Sequence, residues 1–324
     1  MNGRLEKEMK FYGAIEEKLK TLPSVFNDYY ISMRANRKSY TTINVYINNI
    51  LHFINFLGDN ISEDFYKHIT ASDIERYIIS LETRETKNGI QRMGDDILQC
   101  RWSSLNNFFD WLMKRNYISI NPMSTVNRPK NNTQHKVIYL TKVEINRLYR
   151  AIERNPNEVE SIRDETLIKV ALATALRISA LLNLNIDDID FDNNVINVIE
   201  KRQKVRSIQI GNNLQELLKN WIKIRNEVYT NTETNALFLS NRTQRMSDDA
   251  ANYMLKKYCK EAEIKVITFH KLRASAACML AKNGMPLKTI AKQLGHNSTE
   301  VTQRYVAAFD EDNEKALNIL DGLV

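Results

Sequence analysis

The sequence predicts a mainly α protein of two domains, the second of which includes a small antiparallel sheet. Three observations lead there. A length of 324 residues suits two cores of ordinary size. Only five prolines and nine glycines punctuate the chain, too few for a fold rich in tight turns. Apolar residues recur at steps of three and four almost throughout, giving way to alternation only near 195–211.

Leu5, Met9, Tyr12, Ile15 and Leu19 make one amphipathic face that stops before Pro23, so 1–23 reads as an N-terminal helix. The first domain follows at 24–125, and every strong segment in it reads as helical. VFNDYYISMR is one helix. In SYTTINVYINNILHFINFL, Ile43, Tyr46, Ile47, Ile50, Leu51, Ile54 and Leu57 share a face. Thr70 and Asp73 form a capping box for a helix through Ile74, Tyr77 and Ile78. ILQCRWSSLNNFFDWLMKRNYI is a long fourth helix with Trp102, Leu105, Phe108, Phe109 and Leu112 inward. Two clusters lie between helices: Arg34, Arg37, Lys38, Ser39, Thr41 and Thr42, then Lys87, Gln91 and Arg92. Each suits a solvated charged face or, beside a helix N-terminus, a row of phosphates.

NPMSTVNRPKNNTQHK (121–136) has two prolines, four asparagines and no apolar period, and reads as an interdomain linker with 126–136 as its body. The second domain occupies 137–324. Thr141 and Glu144 make a second capping box, and an apolar helix over 163–176 delivers Arg177. VINVIEK (195–201) and SIQIG (207–211) alternate and are β-branched, which predicts a two-stranded hairpin. Four of the six residues from Lys201 to Arg206 are basic, placing positive charge at its tip. Beyond it the pattern is helical to the end, closing on the amphipathic tail EDNEKALNILDGLV, which suits packing on its own domain or docking on a neighbouring protomer to gate Tyr305.

The net charge of +7 and pI near 9.1 favour a polyanionic partner. No apolar run approaches the ~20 residues of a membrane span. The N-terminus lacks the apolar core of a signal peptide, and three scattered cysteines suggest neither a disulfide framework nor a zinc site. The expectation is a reduced cytoplasmic protein without a metal or other cofactor.

The second domain carries a distinctive set of polar residues: Arg177, then His270 and Arg273 three apart, His296 in the turn Leu294-Gly295-His296, and Tyr305 nine further on. Two guanidiniums, two imidazoles and a phenol suit a phosphodiester attacked by tyrosine. An Arg fork matches two non-bridging oxygens and stays charged at any working pH. A phenol with an ordinary pKa of about 10 needs cationic neighbours to release its proton. A lysine can protonate the departing 5′ oxygen.

Taken together, ALATALRISALLNLNIDDID, VINVIEKRQKVRSIQI, HKLR, LGHNS and TQRYV resemble the tyrosine recombinase (phage integrase) family, in its plain Xer-like form. The resemblance implies an N-terminal helical, SAM-like core-binding domain and a mostly helical catalytic domain forming a C-shaped clamp on duplex DNA. It implies Tyr305 as nucleophile, Arg177 and Arg273 as phosphate clamps, His270 as proton-transfer partner, His296 as a hydrogen-bond donor to a phosphate oxygen and Lys201 as general acid. Arg37, Lys38, Ser39, Thr41, Thr42, Arg92, Lys204 and Arg206 are the candidate DNA contacts. The implied activity is site-specific recombination through a 3′-phosphotyrosine and a four-way junction, by a homotetramer or a heterotetramer with a related recombinase. A type IB topoisomerase and a catalytically silent DNA-binding accessory protein are the alternatives. The sequence departs from the family at Ala175 (usually Gly), Ala180 (commonly acidic) and Ala274 (commonly His).

Overall fold

The computed structural model describes residues 3–58, 62–86, 89–130, 137–199, 205–230, 232–295, 298–299, 302–303 and 305, with backbone alone at 3–7, 10, 83–86 and 89–92. Arg4–Gln134 form one compact unit and His135–Val324 the body of a second. The predicted C-terminal tail helix lies outside the described residues.

The first unit contains α1 (Gly3–Leu19), α2 (Ser24–Ala35), α3 (Tyr40–Leu57), α4 (Ala71–Glu82) and α5 (Asp95–Lys114). Ile43, Ile47, Ile50 and Ile54 bury one stripe of α3 in the same core as Leu105, Phe108, Phe109 and Leu112 of α5. Each such side chain removed from water contributes about 1.5–3 kcal/mol. Trp102 is only partly buried at the edge of this core. Ile15 of α1 is fully buried there as well, so the N-terminal helix packs as part of this unit. The Thr70–Asp73 box is formed: Thr70 N and Oγ1 donate to Asp73 Oδ2, and Asp73 N donates to Thr70 Oγ1.

Two expectations for this region need correction. The unit is not all-helical: β1 (Thr83–Thr86) and β2 (Gly89–Arg92) pair antiparallel, Thr83 opposite Arg92. The sequence signal is faint: two four-residue strands joined by two residues are too short for a visible period. The linker also begins later than at residue 121. Pro122–Thr125 form a 3-10 turn capped by Asn121, whose Nδ2 donates to Asp110 Oδ1, and Met123 and Val126 are buried in the first core.

The second unit runs α6 (Lys142–Glu153), α7 (Glu158–Thr174), α8 (Ile178–Leu182), β3 (Ile189–Asp190), β4 (Val195–Ile199), β5 (Val205–Gln209), α9 (Asn212–Val228), α10 (Asp248–Glu261), α11 (Phe269–Lys282) and α12 (Leu287–Leu294). The Thr141–Glu144 capping box is present. The sheet has order β3-β4-β5, antiparallel throughout, with Ile196 opposite Ile208. Its alternation buries Ile196, Val198 and Ile208, and β3 is a short strand beyond the predicted two.

The stretch between α9 and α10 is irregular rather than helical, yet Ala236–Leu239 within it are fully buried. Buried non-repetitive backbone needs partners, and arginines supply them. Arg225 donates to Ala236 O and Thr234 O, and Arg163 to Leu239 O, while Arg245 of the same stretch donates to Leu182 O and Leu184 O at the end of α8. Arg163 is itself neutralised by the adjacent buried Asp164, which also accepts from Tyr258 Oη.

Candidate active site

Helix α11 carries His270 in its first turn and Arg273 in its second. The Arg273 side chain points inward and is 3% exposed. Its Nη1 donates to Ala175 O at 2.7 Å and its Nη2 to Leu294 O at 2.6 Å. Two bonds from separate terminal nitrogens fix the plane of the guanidinium, not merely its position.

Both carbonyls belong to helix ends. Ala175 terminates α7 in the left-handed region, φ 50° and ψ 30°. That conformation reverses the chain, so that Arg177 becomes the exposed N-cap of α8 two residues later. Glycine takes such a backbone readily, whereas a Cβ there costs about 1–2 kcal/mol. The departure at Ala175 is therefore a strained backbone position, held by the surrounding packing. Leu294 ends α12, and Gly295 follows at φ 63°, its N donating back to Ala291 O and Lys292 O. His296 is the next residue in the chain.

A small cluster sits among these ends: Ala175, Ala274, Ala276, Ala277, Cys278, Ile290, Leu294 and Tyr305. The alanines of α11 let the α7 turn, α12 and Tyr305 approach its backbone closely. Tyr305 is 8% exposed, and Cys278 Sγ donates to its carbonyl oxygen at 3.8 Å. Ala274, where the family commonly has His, is one of the buried small residues of this packing. At the back of α11, Ser275 Oγ accepts from Leu140 N and donates to Lys271 O, tying the start of the unit to this helix.

The electrostatics agree with the geometry. His270 is exposed on the first turn of α11. Loss of water around the ring is the largest cause lowering its pKa from that of an ordinary imidazole. The charges of Lys271, Arg273 and Arg177 lower it further. Arg177 and Arg273 thus act on one imidazole from two different helices. Such a concentration of positive charge suits an anion whose charge rises during reaction.

Four of the six candidate catalytic residues, Arg177, His270, Arg273 and Tyr305, are carried by elements that meet here. Lys201 and His296 lie outside the described residues, as does Lys204. Among the candidate DNA contacts, Arg37 and Lys38 are exposed after α2, with Arg37 left-handed at φ 56°. Ser39 Oγ caps α3 by accepting from Thr42 N, and its hydroxyl pairs with that of Thr42 at 2.9 Å. Thr41 is half-buried in the same turn. The N–H of Tyr40 in this turn is already taken, by Glu8 Oε2 of α1. Arg92 is placed by backbone alone, opposite Thr83. Arg206 faces α12, where Nη1 donates to Lys292 O and Gln293 O. Sequence reasoning missed this carbonyl-binding role, and the residue's place in a basic run concealed it.

The model of the phage integrase family matches residues 139–312, more than half of the chain. The chain belongs to the phage integrase family. It is 30% identical over 332 residues to the tyrosine recombinase XerC of Caldanaerobacter subterraneus subsp. tengcongensis, covering 96% of this chain and 89% of that protein. Two solved structures share the fold at 18% identity. The site-specific recombinase XerH, in a post-cleavage complex with a palindromic difH substrate, superposes with TM-score 0.74 over 97% of this chain and 90% of that one. A lambda integrase tetramer bound to a Holliday junction superposes with TM-score 0.65 over 86% of this chain and 76% of that one. As in the sequence reading, this integrase-family chain is mainly helical with a small antiparallel sheet.

Proposed function

We propose that this integrase-family protein is a site-specific DNA recombinase that cuts and rejoins duplex DNA through a 3′-phosphotyrosyl intermediate. The observation that carries the reading is the double anchorage of Arg273 on Ala175 O and Leu294 O. It gathers the turn before Arg177, the end of α12 and the helix of His270 around one guanidinium, with Tyr305 packed alongside.

In this reading Tyr305 Oη attacks the scissile phosphorus and the bond to the 5′ oxygen breaks. Arg177 and Arg273 hold the two non-bridging oxygens as negative charge builds on them. His270, whose pKa is lowered by loss of water and by the neighbouring charges, accepts or relays the phenolic proton. Lys201 protonates the leaving 5′ oxygen and His296 donates to the phosphate. The phosphotyrosine conserves the bond energy, so attack by a 5′ hydroxyl from a second duplex rejoins the strands without a nucleotide cofactor. Pairwise exchange in a tetramer on two DNA sites, alone or with a related recombinase, passes through a four-way junction. No helix among the described residues is long and apolar enough to cross a membrane, and we place the protein in the cytoplasm with its DNA.

Covalent trapping tests the reading. Nicked suicide duplexes carrying candidate sites from the flanking genome are mixed with the protein in EDTA. A protein–DNA band that disappears in Tyr305→Phe supports it. Binding without a band would favour the accessory-protein alternative. Relaxation of site-free supercoiled DNA at the rate of site-bearing DNA would favour the topoisomerase.

A further inference from the structure

We propose that Arg206 is a positioning residue that sets the catalytic guanidinium of Arg273 through the C-terminal turn of α12. The inference rests on the recombinase reading above. A helix end leaves its last four carbonyls without intrahelical partners. In α12 the helix's own C-cap reaches the first two, and side chains from elsewhere reach the last three. Gly295 N reaches Ala291 O and Lys292 O, Arg206 Nη1 reaches Lys292 O at 3.1 Å and Gln293 O at 3.0 Å, and Arg273 Nη2 takes Leu294 O at 2.6 Å. Two cations therefore meet the negative end of one helix dipole.

The two arginines arrive from different supports. Arg206 stands on β5 opposite Val198, next but one to the buried Ile208, so the three-stranded sheet fixes it. Arg273 stands on α11. The peptide groups of 292–294 lie between them, linking the sheet to the guanidinium plane. Without Arg206, Leu294 O loses its reference to the sheet. The Leu294 O end of the guanidinium then shifts relative to the Ala175 O end, and the plane of Arg273 tilts. A misplacement of about 1 Å at such a group costs on the order of 100-fold in rate.

This role differs from the DNA contact that the basic run at 201–206 suggests, and also from an effect on Lys201, which lies in the connection from β4 to β5. Three nicked duplexes built on the site recovered by trapping separate them. One carries an ordinary scissile phosphodiester. The second carries a methylphosphonate, which removes one of the charges the arginines stabilise. The third carries a 5′-bridging sulfur, a leaving group that needs no acid. Single-turnover adduct formation by Arg206→Met is expected to slow about 10–100-fold on the phosphodiester, with DNA affinity within about twofold. The slowing shrinks to under about threefold on the methylphosphonate and persists in full on the bridging sulfur, because Arg273 rather than Lys201 has been displaced. Arg206→Lys, which restores a charged donor, recovers part of the rate and carries the same comparison if the Met variant does not fold.

Equal slowing on phosphodiester and methylphosphonate would overturn the inference, as would slowing that vanishes on the bridging sulfur or a loss confined to DNA affinity. Wild-type protein run alongside forms adduct if the recombinase reading holds. Its failure would overturn that reading and this inference together, whereas wild-type adduct with equal losses overturns the inference alone.

Discussion

Arg273 donates to the carbonyl oxygen of Ala175 at 2.7 Å, so one proposed phosphate clamp is anchored on the turn that leads into the other, Arg177. This makes Arg273 poorly replaceable by lysine. An ammonium keeps the charge but cannot span Ala175 O and Leu294 O with a rigid plane. Arg273→Lys is expected to slow adduct formation by at least about 100-fold, a loss of roughly 2.7 kcal/mol or more in transition-state stabilisation. DNA affinity, dominated by many phosphate contacts, changes little. Single-turnover trapping and a filter-binding isotherm on the same duplex check both halves.

Ala175 adopts φ 50° while fully packed at 1% exposure. Ala175→Gly relieves about 1–2 kcal/mol of backbone strain, offset by roughly 0.5–1 kcal/mol of added unfolded-state entropy and by the lost burial of one methyl. The net change is expected within about 1 kcal/mol of the parent. Ala175→Val adds β-branching at a left-handed position in a filled site and is expected to cost more than about 3 kcal/mol. Urea denaturation of the three proteins orders them.

How much of this was legible in the sequence follows from the kind of signal each feature leaves. Long amphipathic helices such as α3 and α5 and the two capping boxes write their period or their spacing directly into the chain. The β1–β2 hairpin left little trace, because four-residue strands carry too short a period to stand out among helices. Arg177, Arg273 and Tyr305 were legible as a joint pattern. The partners of Arg273 were not, because they are backbone carbonyls, and any residue provides one. Arg225 did leave a faint trace, continuing the buried stripe Leu218–Trp221 of α9 one turn on. A charge on an apolar stripe marks a guanidinium that binds backbone from inside.

Arg163 and Asp164 form such an interior device, with side chains 5% and 3% exposed. Arg163 joins α7 to Leu239 O and to Asn241 Oδ1, while Asp164 accepts from Tyr258 of α10. Arg163→Met leaves a buried carboxylate without its counter-charge and is expected to cost about 3–5 kcal/mol. Adding Asp164→Asn removes that charge, so the double variant is expected to be more stable than Arg163→Met alone. Reversible denaturation of both variants tests the pair. A double variant weaker than the single one would contradict the assigned cause.

His270 gives a direct test of whether the cluster is assembled in the free protein. Desolvation of its ring, then the charges of Lys271, Arg273 and Arg177, lowers its pKa below the 6.5 of an unperturbed imidazole. Between the folded value and 6.5 the unfolded chain binds more protons than the native one. Stability therefore rises with pH through that window, and the penalty is fully present below the folded pKa. His270→Gln is expected to flatten that slope. Imidazole resonances followed by NMR should titrate with a midpoint under 6.5. Arg177→Met, which removes one of the named positive charges, should move the midpoint upward while leaving the α11 backbone shifts in place. An unmoved midpoint would mean that Arg177 lies too far from His270 to share a phosphate with Arg273.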